Sequence, residues 1–441
     1  MKSFHRKGTY CILLLLALHI FQPASSQNDR PNIIYIMADD LGYSDLSGYG
    51  RKDYSTPHLD KLASQGLKFV NAYAAAPLCT PTRVAFITGR YPARHPVGLR
   101  EPLVMNKKDS LVGISPDQPT LALLLKTAGY ETALIGKWHL GFLPQFSPNN
   151  NGFDYFYGIH SGAADYISHR GERPGHDLYE NEQPVYPKGY LTEILKNKAV
   201  EFLEKKHDKP FFLSMQFNAP HWPWQGPNDK PYPDTMNLSV GGNQETYAIM
   251  MKGLDDAIKA ILETLDKQNL AKNTVVIFTS DNGGDKFSDM GTLTGRKAQL
   301  WEGGIKVPAF VRWPGKIKAG ITEQPIITLD WTATILDIAK GKPSPQFPPD
   351  GISLLPFLTG ERNMMPRTFY WRAFQRVKQK AMRDGDWKWL QDEKGEYLFN
   401  IAKDPGEKNN LKEKETVIFD GLKKKYEQWE TTVLKPIPLG G

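Results

Sequence analysis

Cysteine is scarce in this 441-residue chain, which contains only Cys11 and Cys79. Cys11 lies in the N-terminal stretch MKSFHRKGTYCILLLLALHIFQPASSQ, which starts basic, continues apolar and ends with the small residues Ala24 and Ser26. This pattern predicts a signal peptide over residues 1–26, because the apolar run is too short to span a bilayer; a retained membrane anchor is the alternative. After cleavage Cys79 has no partner within the chain. An internal disulfide is therefore excluded, although we expect the protein in an oxidising compartment.

Long apolar runs and a strong charge of one sign are also missing. No segment after residue 26 approaches the length of a membrane span, so we expect no membrane contact after leader cleavage. Removing the three basic residues of the leader lowers the formal net charge from +7 to +4. That balance, without a basic stripe interleaved with aromatic residues, argues against nucleic-acid binding. We expect an exported protein, periplasmic in a bacterium or secreted, and the lack of disulfides disfavours a lysosomal location.

The chain alternates strand and helix patterns as far as residue 342. Short apolar runs predict buried strands in NIIYIM, TALIG, FFLSMQF and TVVIFTS. Helical spacing and helix-capping residues predict helices in TPHLDKLASQG, in TLALLLKTAG and over residues 245–268. The expected fold class is therefore α/β, with a large and mostly parallel sheet sandwiched by helices. In such sheets, binding sites lie beyond the carboxyl ends of the strands.

A proline-rich stretch, KPSPQFPPDG, separates this region from the end of the chain. We place a domain boundary there, with a larger domain over residues 27–342 and a C-terminal subdomain over residues 343–441. In the subdomain, RTFYWR, QKAMRDGDWKWLQ and EYLFNIAKDPGE have strand patterns and turn signals, and residues 417–433 have apolar side chains at helical spacing. We expect a smaller α+β unit, an antiparallel sheet packed under a C-terminal helix.

Two pairs of oxygen-bearing side chains follow predicted strands. Asp39 and Asp40 come directly after NIIYIMA, and Asp281 and Asn282 come directly after TVVIFTS. A hard cation such as calcium takes several oxygen ligands, and one strand end rarely supplies them all. Each pair alone is typical of a turn, which is the alternative interpretation. Two pairs at matching strand ends indicate a metal site.

Four cationic or imidazole side chains follow strand patterns, and a fifth accompanies them. Lys137 and His139 are two residues apart in GKWHLG, so in an extended segment they point the same way. His221 follows another predicted strand, and Lys297 lies one loop beyond the second acidic pair. Each alone is typical of a surface lysine or a hydrogen-bonded histidine. Together with Arg83 they form a set suited to hold a tetrahedral oxyanion near a metal.

Cys79 stands between a proline-containing turn and a segment with the pattern of a helix that enters the core. Its thiol is therefore expected at a helix N-terminus, where backbone N–H groups and the helix dipole favour anions. A free thiol in an oxidising compartment is a liability unless it is buried, reactive or chemically converted. An ordinary buried cysteine is the alternative. Cys, Pro and Arg at spacing two and two, followed by Thr88-Gly89, form a more specific pattern than chance gives.

The segment CTPTRVAFITG resembles the signature of the type I sulfatases, a family of the alkaline phosphatase superfamily. In that family the Cys of Cys-x-Pro-x-Arg is converted to formylglycine. ADDLGYSD, GKWHLG, TSDNGG and GRKAQLWEGG are similar to further family motifs, so the resemblance spans residues 31–311. Thr82 stands where many members have Ser, outside the Cys-Pro-Arg core. The resemblance implies a sulfuric ester hydrolase acting on sulfated sugars or polysaccharides and matured by a formylglycine-generating or sulfatase-maturing enzyme.

The resemblance assigns a role to each site residue. One calcium ion would be bound by Asp39, Asp40, Asp281, Asn282 and the formylglycine made from Cys79. The catalytic and sulfate-binding side chains would be Cys79, Arg83, Lys137, His139, His221 and Lys297. Arg83 and Lys137 would stabilise the hydrated formylglycine, one hydroxyl of which attacks sulfur. His221, near Lys297, would protonate the leaving sugar oxygen, and His139 would take the proton whose loss expels sulfate.

Two other functions fit parts of this pattern. A phosphodiesterase or phosphonate monoester hydrolase of the same superfamily also combines a divalent metal with an oxygen nucleophile. A sugar-binding protein that has lost catalysis would lack at least one matched residue, and none is missing. Turnover of a nitrophenyl sulfate compared with a nitrophenyl phosphate separates the three.

The sugar itself is less well defined by the sequence. FDYFYGIHSGAADYISH and the general layout are similar to the arylsulfatase B group, which removes the 4-sulfate of N-acetylgalactosamine. Trp222 and Trp224 flank the predicted His221 loop, where they would either stack on a sugar face or anchor the loop. His169 and Arg170 are further candidates for the pocket wall.

Overall fold

A computed structural model describes residues 1, 30–106, 109–172 and 175–438. Apart from Met1, the predicted signal peptide lies outside the described residues. Among the residues that are described, no helix is both long and apolar enough to cross a membrane.

Strands and helices alternate through the first three-quarters of the described chain, and a run of strands followed by a helix ends it. In chain order the strands are β1 (Asn32–Ala38), β2 (Leu67–Phe69), β3 (Ala72–Tyr73), β4 (Glu131–Lys137), β5 (Tyr155–Ile159), β6 (Tyr179–Glu180), β7 (Gln183–Pro184), β8 (Phe211–Gln216), β9 (Thr274–Ser280), β10 (Ala309–Arg312), β11 (Gly320–Thr322), β12 (Ile326–Ile327), β13 (Thr368–Ala373), β14 (Gln379–Asp384), β15 (Trp387–Asp392) and β16 (Gly395–Asn400). The α-helices are α1 (Pro57–Ser64), α2 (Cys79–Thr88), α3 (Leu121–Thr127), α4 (Leu191–Glu204), α5 (Gln244–Lys267), α6 (Glu302–Ile305), α7 (Thr328–Ile338), α8 (Leu355–Leu358) and α9 (Thr416–Glu430). Short 3-10 helices lie at Ser47–Tyr49, Pro92–Arg94, Val97–Leu99, Asp109–Leu111, Pro144–Phe146, Asn149–Asn151 and Ala271–Asn273.

The large sheet has the strand order β11-β2-β10-β9-β1-β8-β4-β5-β6-β7. Its centre, from β9 to β5, is parallel, whereas β10 runs antiparallel to both of its neighbours and β6 runs antiparallel to β5. Ile34 and Ile36 of β1 pack with α1, α4 and α5 on one face, and Ile33 and Tyr35 pack with α2, α3 and α7 on the other. Because both faces are covered, the central strands are apolar throughout. The predicted sheet sandwiched by helices is confirmed.

The C-terminal strands form a separate antiparallel sheet in the order β13-β14-β15-β16, and α9 packs on β14 and β15. This arrangement confirms the predicted smaller α+β unit. Trp371, Trp389 and Tyr426 of this unit share a hydrophobic cluster with Tyr73 and Ala85 of the larger domain. The boundary at residue 343 stays a prediction.

A buried group of charges connects the two units. The ammonium of Lys388, on β15, lies 2.9 Å from Glu302 Oε1 and 2.8 Å from Glu407 Oε1. The backbone N–H of Glu302 donates to Glu407 Oε2 at 2.7 Å, and the hydroxyl of Tyr73 donates to Glu302 Oε2 at 2.6 Å. We call Lys388, Glu302 and Glu407 the interdomain charge cluster. It fixes the start of α6, which follows the loop that contains Lys297.

Candidate active site

Four oxygen-bearing side chains meet at the carboxyl ends of β1 and β9. These strands are parallel neighbours, with Ala38 opposite Ser280, so the residues that follow them lie side by side. The backbone N–H of Asp40 donates to Asp281 Oδ1 at 3.1 Å, and the amide of Asn282 donates to Asp40 Oδ1 at 2.8 Å. Asp40 adopts a left-handed φ of 62°, which turns the chain sharply at the strand end. Both predicted acidic pairs, including Asp39, are therefore buried in one cluster.

Two cations from other elements contact this cluster. The ammonium of Lys137, the last residue of β4, lies 2.6 Å from Asp39 Oδ2. The guanidinium of Arg83 lies 3.0 Å from Asp281 Oδ2 and 3.6 Å from Asp39 Oδ1, and it donates to Gln216 Oε1 at 2.9 Å. Burial alone would raise the pKa of Asp39, but the two cations outweigh burial and hold that pKa below its ordinary value. Asp39 is therefore charged.

The acidic cluster has the donor atoms that a hard cation requires. Asp39 Oδ1 and Asn282 Oδ1 are buried and have no hydrogen-bond partner among the described residues. Ligand atoms of Asp39, Cys79 and Asp281 lie within 4.8 Å of one another, as do those of Asp39, Asp40 and His221. Burial raises the pKa of Asp40 to about 7 and that of Asp281 to about 6, although Lys297 and Arg83 act in the opposite direction. Both buried carboxylates would therefore be stabilised by a further positive charge. Oxygen ligands in this number suit calcium.

Cys79 is the first residue of α2, and it is a buried, free cysteine. No side chain caps this helix, so the first-turn backbone N–H groups lack such a partner beside the thiol. Burial raises the pKa of the Cys79 thiol, although Lys137 and Lys297 act in the opposite direction.

Cys79 shares a cavity of about 130 Å³ with His139, His221 and Lys297. The ammonium of Lys297 donates to Asp40 Oδ2 at 2.5 Å, and His221 Nε2 lies 3.5 Å from the same oxygen. The residues that the sequence predicts as catalytic or metal-binding thus lie together in the structure. They either line this cavity or belong to the cluster of acids and cations beside it, which we call the floor of the site.

Both histidines are held by backbone carbonyls. His221 Nδ1 donates to the Trp222 carbonyl at 2.6 Å, and His139 Nε2 donates to the Leu103 carbonyl at 2.7 Å. Burial lowers the pKa of each imidazole well below its ordinary value, assisted by Lys297 at His221 and by Lys137 at His139. His139 also has a left-handed φ of 59°, so the extended segment that we expected over Lys137 and His139 is wrong. His139 reaches the cavity through a turn.

Sequence reasoning missed several residues at this site. Gln216 lies at the end of β8 and orients Arg83, and Glu172, Asp285 and Arg376 line the cavity. A polar residue at the end of a buried strand was the available signal for Gln216. The other three lie on loops, and no local pattern marks them.

The weaker candidates divide between wall and core. Trp222 lines the cavity, whereas Trp224 is buried in the core against Phe287, so Trp222 is the one placed to contact a sugar. His169 and Arg170 do not line the cavity in the described part of the chain. Arg170 instead donates to the carbonyls of Pro233 and Met236, and His169 to that of Gly189.

A mostly parallel sheet with an acid-and-cation cluster at its carboxyl edge and a smaller antiparallel sheet at its side is the architecture of the alkaline phosphatase superfamily. The family model described as Sulfatase matches residues 31–342, and a model described as N-sulphoglucosamine sulphohydrolase, C-terminal, matches residues 296–432. The chain belongs to the sulfatase family, whose members are sulfuric ester hydrolases.

Curated relatives include N-acetylgalactosamine-6-sulfatase of Homo sapiens, 36% identical over 79% of this chain and 70% of that protein. Arylsulfatase J of Mus musculus is 33% identical over 83% of this chain, and the match covers 62% of the length of arylsulfatase J. Among solved structures, Ps i-CgsB superposes with a TM-score of 0.84 at 31% identity, covering 93% of this chain and 95% of that one. The same protein in complex with k-i-k-neocarrahexaose gives a TM-score of 0.81 at 31% identity, with the same coverage of both chains.

Proposed function

We propose that this protein hydrolyses sulfate esters of sugars by means of a formylglycine made from Cys79 and one bound calcium ion. The observation that carries the proposal is the position of Cys79. It lies at a helix N-terminus in a cavity that also contains His139, His221 and Lys297, and it is directly beside the carboxylates of Asp39 and Asp281. A thiol surrounded in this way would face both a metal and a tetrahedral anion.

Sugars are the substrate class that the relatives favour. The curated relatives include N-acetylgalactosamine-6-sulfatases, and a solved relative at 31% identity is in complex with k-i-k-neocarrahexaose. The half-buried indole of Trp222 at the cavity wall offers an apolar face for a sugar ring. The proposal covers the saccharide class without choosing a sugar.

Calcium fits the acidic cluster, because two buried oxygens there lack hydrogen-bond partners and burial raises the pKa of Asp40 and Asp281 in spite of the cations beside them. Asp39, Asp40, Asp281 and Asn282 would hold the ion together with the modified residue 79. When present, the ion supplies charge that polarises a sulfate oxygen, and the formylglycine supplies the attacking oxygen.

The chain's own residues bind the sulfate and move the protons. Lys137 and Lys297 each place an ammonium beside Cys79, so both can bind sulfate oxygens. His221 Nε2 faces the cavity while its Nδ1 is held by a backbone carbonyl, which orients the ring toward the departing sugar oxygen. His221 is our general acid in its doubly protonated form, with the transferable proton on Nε2; the negative charge of a bound sulfate would favour that form against the burial that lowers its pKa. Lys297 is the second candidate, and His139 is the base for sulfate release.

The conversion of Cys79 requires a maturation enzyme, and the leader predicts export to the periplasm or outside the cell. Both stay part of the proposal.

The test measures turnover of nitrophenyl sulfate and nitrophenyl phosphate by the protein matured in its host. We expect turnover of the sulfate and no activity in Cys79→Ala. The peptide that contains residue 79 should have a lower mass than the same peptide with an unmodified cysteine. Preferred turnover of the phosphate would favour the phosphoester hydrolase, and no turnover of either with intact fold would favour a sugar-binding protein. Full activity with an unmodified Cys79 peptide would contradict the formylglycine.

A further inference from the structure

Two charged side chains line the cavity without a role in the proposed chemistry. Glu172 lies on the loop after β5, and Arg376 lies in the turn between β13 and β14. Neither makes a hydrogen bond or an ion pair with the residues that the structure describes. A Cβ at Gly162 would collide with both Glu172 and His139, so the glycine keeps the space between them open. Polar groups that line a cavity and lack protein partners are available to a ligand.

The turn that contains Arg376 is fixed beside the cavity by a buried carboxylate. Glu101 Oε2 accepts hydrogen bonds from the backbone N–H groups of Phe374 at 2.7 Å and Gln375 at 2.8 Å. The backbone N–H of Glu101 donates to Gln375 Oε1 at 2.9 Å. Pro102, the next residue, lines the cavity itself. The C-terminal sheet therefore presents Arg376 at the cavity mouth on a rigid support, although the side chain is exposed.

The deeper cations are already paired. Lys137 contacts Asp39, Lys297 contacts Asp40 and Arg83 contacts Asp281, each within 3.0 Å. Among the described cavity-lining residues, Arg376 is thus a cation without a carboxylate at contact distance. A guanidinium in this state binds carboxylate or sulfate oxygens through paired N–H groups.

We propose that Arg376 binds a second anionic group, a sulfate or a carboxylate, on the saccharide whose scissile sulfate lies against Cys79. The carboxylate of Glu172, whose charged form is attracted to Arg376, competes with such a group for the guanidinium. The favoured substrates are therefore saccharides with more than one negative charge. This inference rests on the proposed function and extends it to specificity.

The test measures inhibition constants of saccharides against nitrophenyl sulfate turnover. The competitors are N-acetylgalactosamine 6-sulfate, its 4,6-disulfate, and a chondroitin 6-sulfate disaccharide, which adds a uronate carboxylate. Hydrogen bonds to charged groups contribute about 1.5–3 kcal/mol, so Arg376→Gln should weaken one or both multiply charged competitors by about tenfold or more. Which of the two is weakened identifies sulfate or carboxylate as the partner. The singly sulfated sugar should change far less.

Two further variants sharpen the result. Lys378→Gln removes a positive charge from the same turn without removing a cavity-lining group, and we expect all constants to stay unchanged. Glu172→Gln should act in the opposite direction to Arg376→Gln and increase the preference for multiply charged competitors. Equal effects of Arg376→Gln on all competitors, no effect at all, or a wild-type protein that does not prefer multiply charged saccharides would overturn the proposal. A wild-type protein inactive on nitrophenyl sulfate would instead contradict the proposed function.

Discussion

The interdomain charge cluster and the active-site cluster are both buried, and they differ in how their polar atoms are satisfied. In the interdomain charge cluster, the Lys388 ammonium lies within 3 Å of both carboxylates, and Glu302 also accepts from a tyrosine. In the active-site cluster, by contrast, one oxygen of Asp39, one of Asn282 and the Nδ1 of His139 have no hydrogen-bond partner among the described residues. Glu407 Oε1 of the interdomain charge cluster also lacks a hydrogen bond but lies 2.8 Å from the Lys388 ammonium, whereas Asp39 Oδ1 lies 3.6 Å from the Arg83 guanidinium. Buried polar atoms without partners are rare in native proteins, so their concentration indicates a place for a ligand. Burial and charge alone do not separate a structural cluster from a functional one.

Removing a carboxylate from the active-site cluster should have the largest effect. Asp281→Ala should lower bound calcium and sulfatase activity together, because the ion loses a charged ligand. Metal content per protein and nitrophenyl sulfate turnover measure this. Asp285→Ala, which removes a cavity acid outside the proposed ligand set, is the control that should retain calcium. Unchanged calcium in Asp281→Ala would mean that the metal lies elsewhere.

Replacing His221 tests the function of the cavity above the cluster. General acid catalysis contributes about a hundred- to ten-thousand-fold and matters most for poor leaving groups. His221→Ala should therefore reduce kcat/KM much more for a sulfated sugar than for nitrophenyl sulfate, whose leaving group is already stable as an anion. Equal losses on both substrates would show that His221 only binds sulfate and would leave Lys297 as the acid.

Breaking the interdomain charge cluster should affect stability and leave the metal in place. Lys388→Met leaves two buried carboxylates without their cation, which should cost about 3–5 kcal/mol in the free energy of unfolding. Denaturant unfolding measures the loss. Lys380→Met, in the neighbouring strand, removes a half-exposed partner of Glu430 and should cost less than about 1 kcal/mol. If Lys388→Met lost calcium but kept its stability, the two clusters would not differ as we infer.

A buried group with no charged partner should give the smallest effect. His95 contacts Thr88 of α2, and burial lowers the pKa of His95 to about 3. Below about pH 6.5, His95 is therefore protonated in the unfolded chain but stays neutral in the folded chain. The contribution of His95 to stability is present above that pH and falls by about 1.4 kcal/mol per unit as the pH decreases toward 3. Between pH 7 and 5, the free energy of unfolding of the wild type should therefore decrease more steeply than that of His95→Gln. Parallel curves for the two proteins would contradict this prediction.

The sequence predicted the sheet and the floor of the site because both have local signals. β1 and β9 are apolar runs that end in acids, and parallel pairing then brings Asp39 and Asp281 together. The left-handed turn at His139 has no such signal, since positive φ is uncommon for any residue other than glycine and no glycine stands at that position. The position of β10 between β2 and β9, antiparallel to both, was not predictable either, because β10 pairs with β2 across more than two hundred residues of sequence.

The position of Arg376 at the cavity could not be predicted from the sequence for a related reason. Arg376 reaches the cavity only because Glu101, some 270 residues earlier, holds its turn, and that contact exists only after the two units have packed. Sequence spacing cannot indicate it, because neither residue belongs to a motif. The resemblance to a family likewise covered the floor of the site more specifically than the C-terminal unit.

The anchoring of the turn at Glu101 has a consequence for how substrate specificity can change in such an enzyme. Two of the three hydrogen bonds use backbone N–H groups of the turn, so the residue types at positions 374 and 376 can vary while the turn stays in place. Selection, or an engineer, can thus replace these two positions as an exchangeable cassette and change what the turn presents to a bound substrate, without touching the residues to which we assign the reaction.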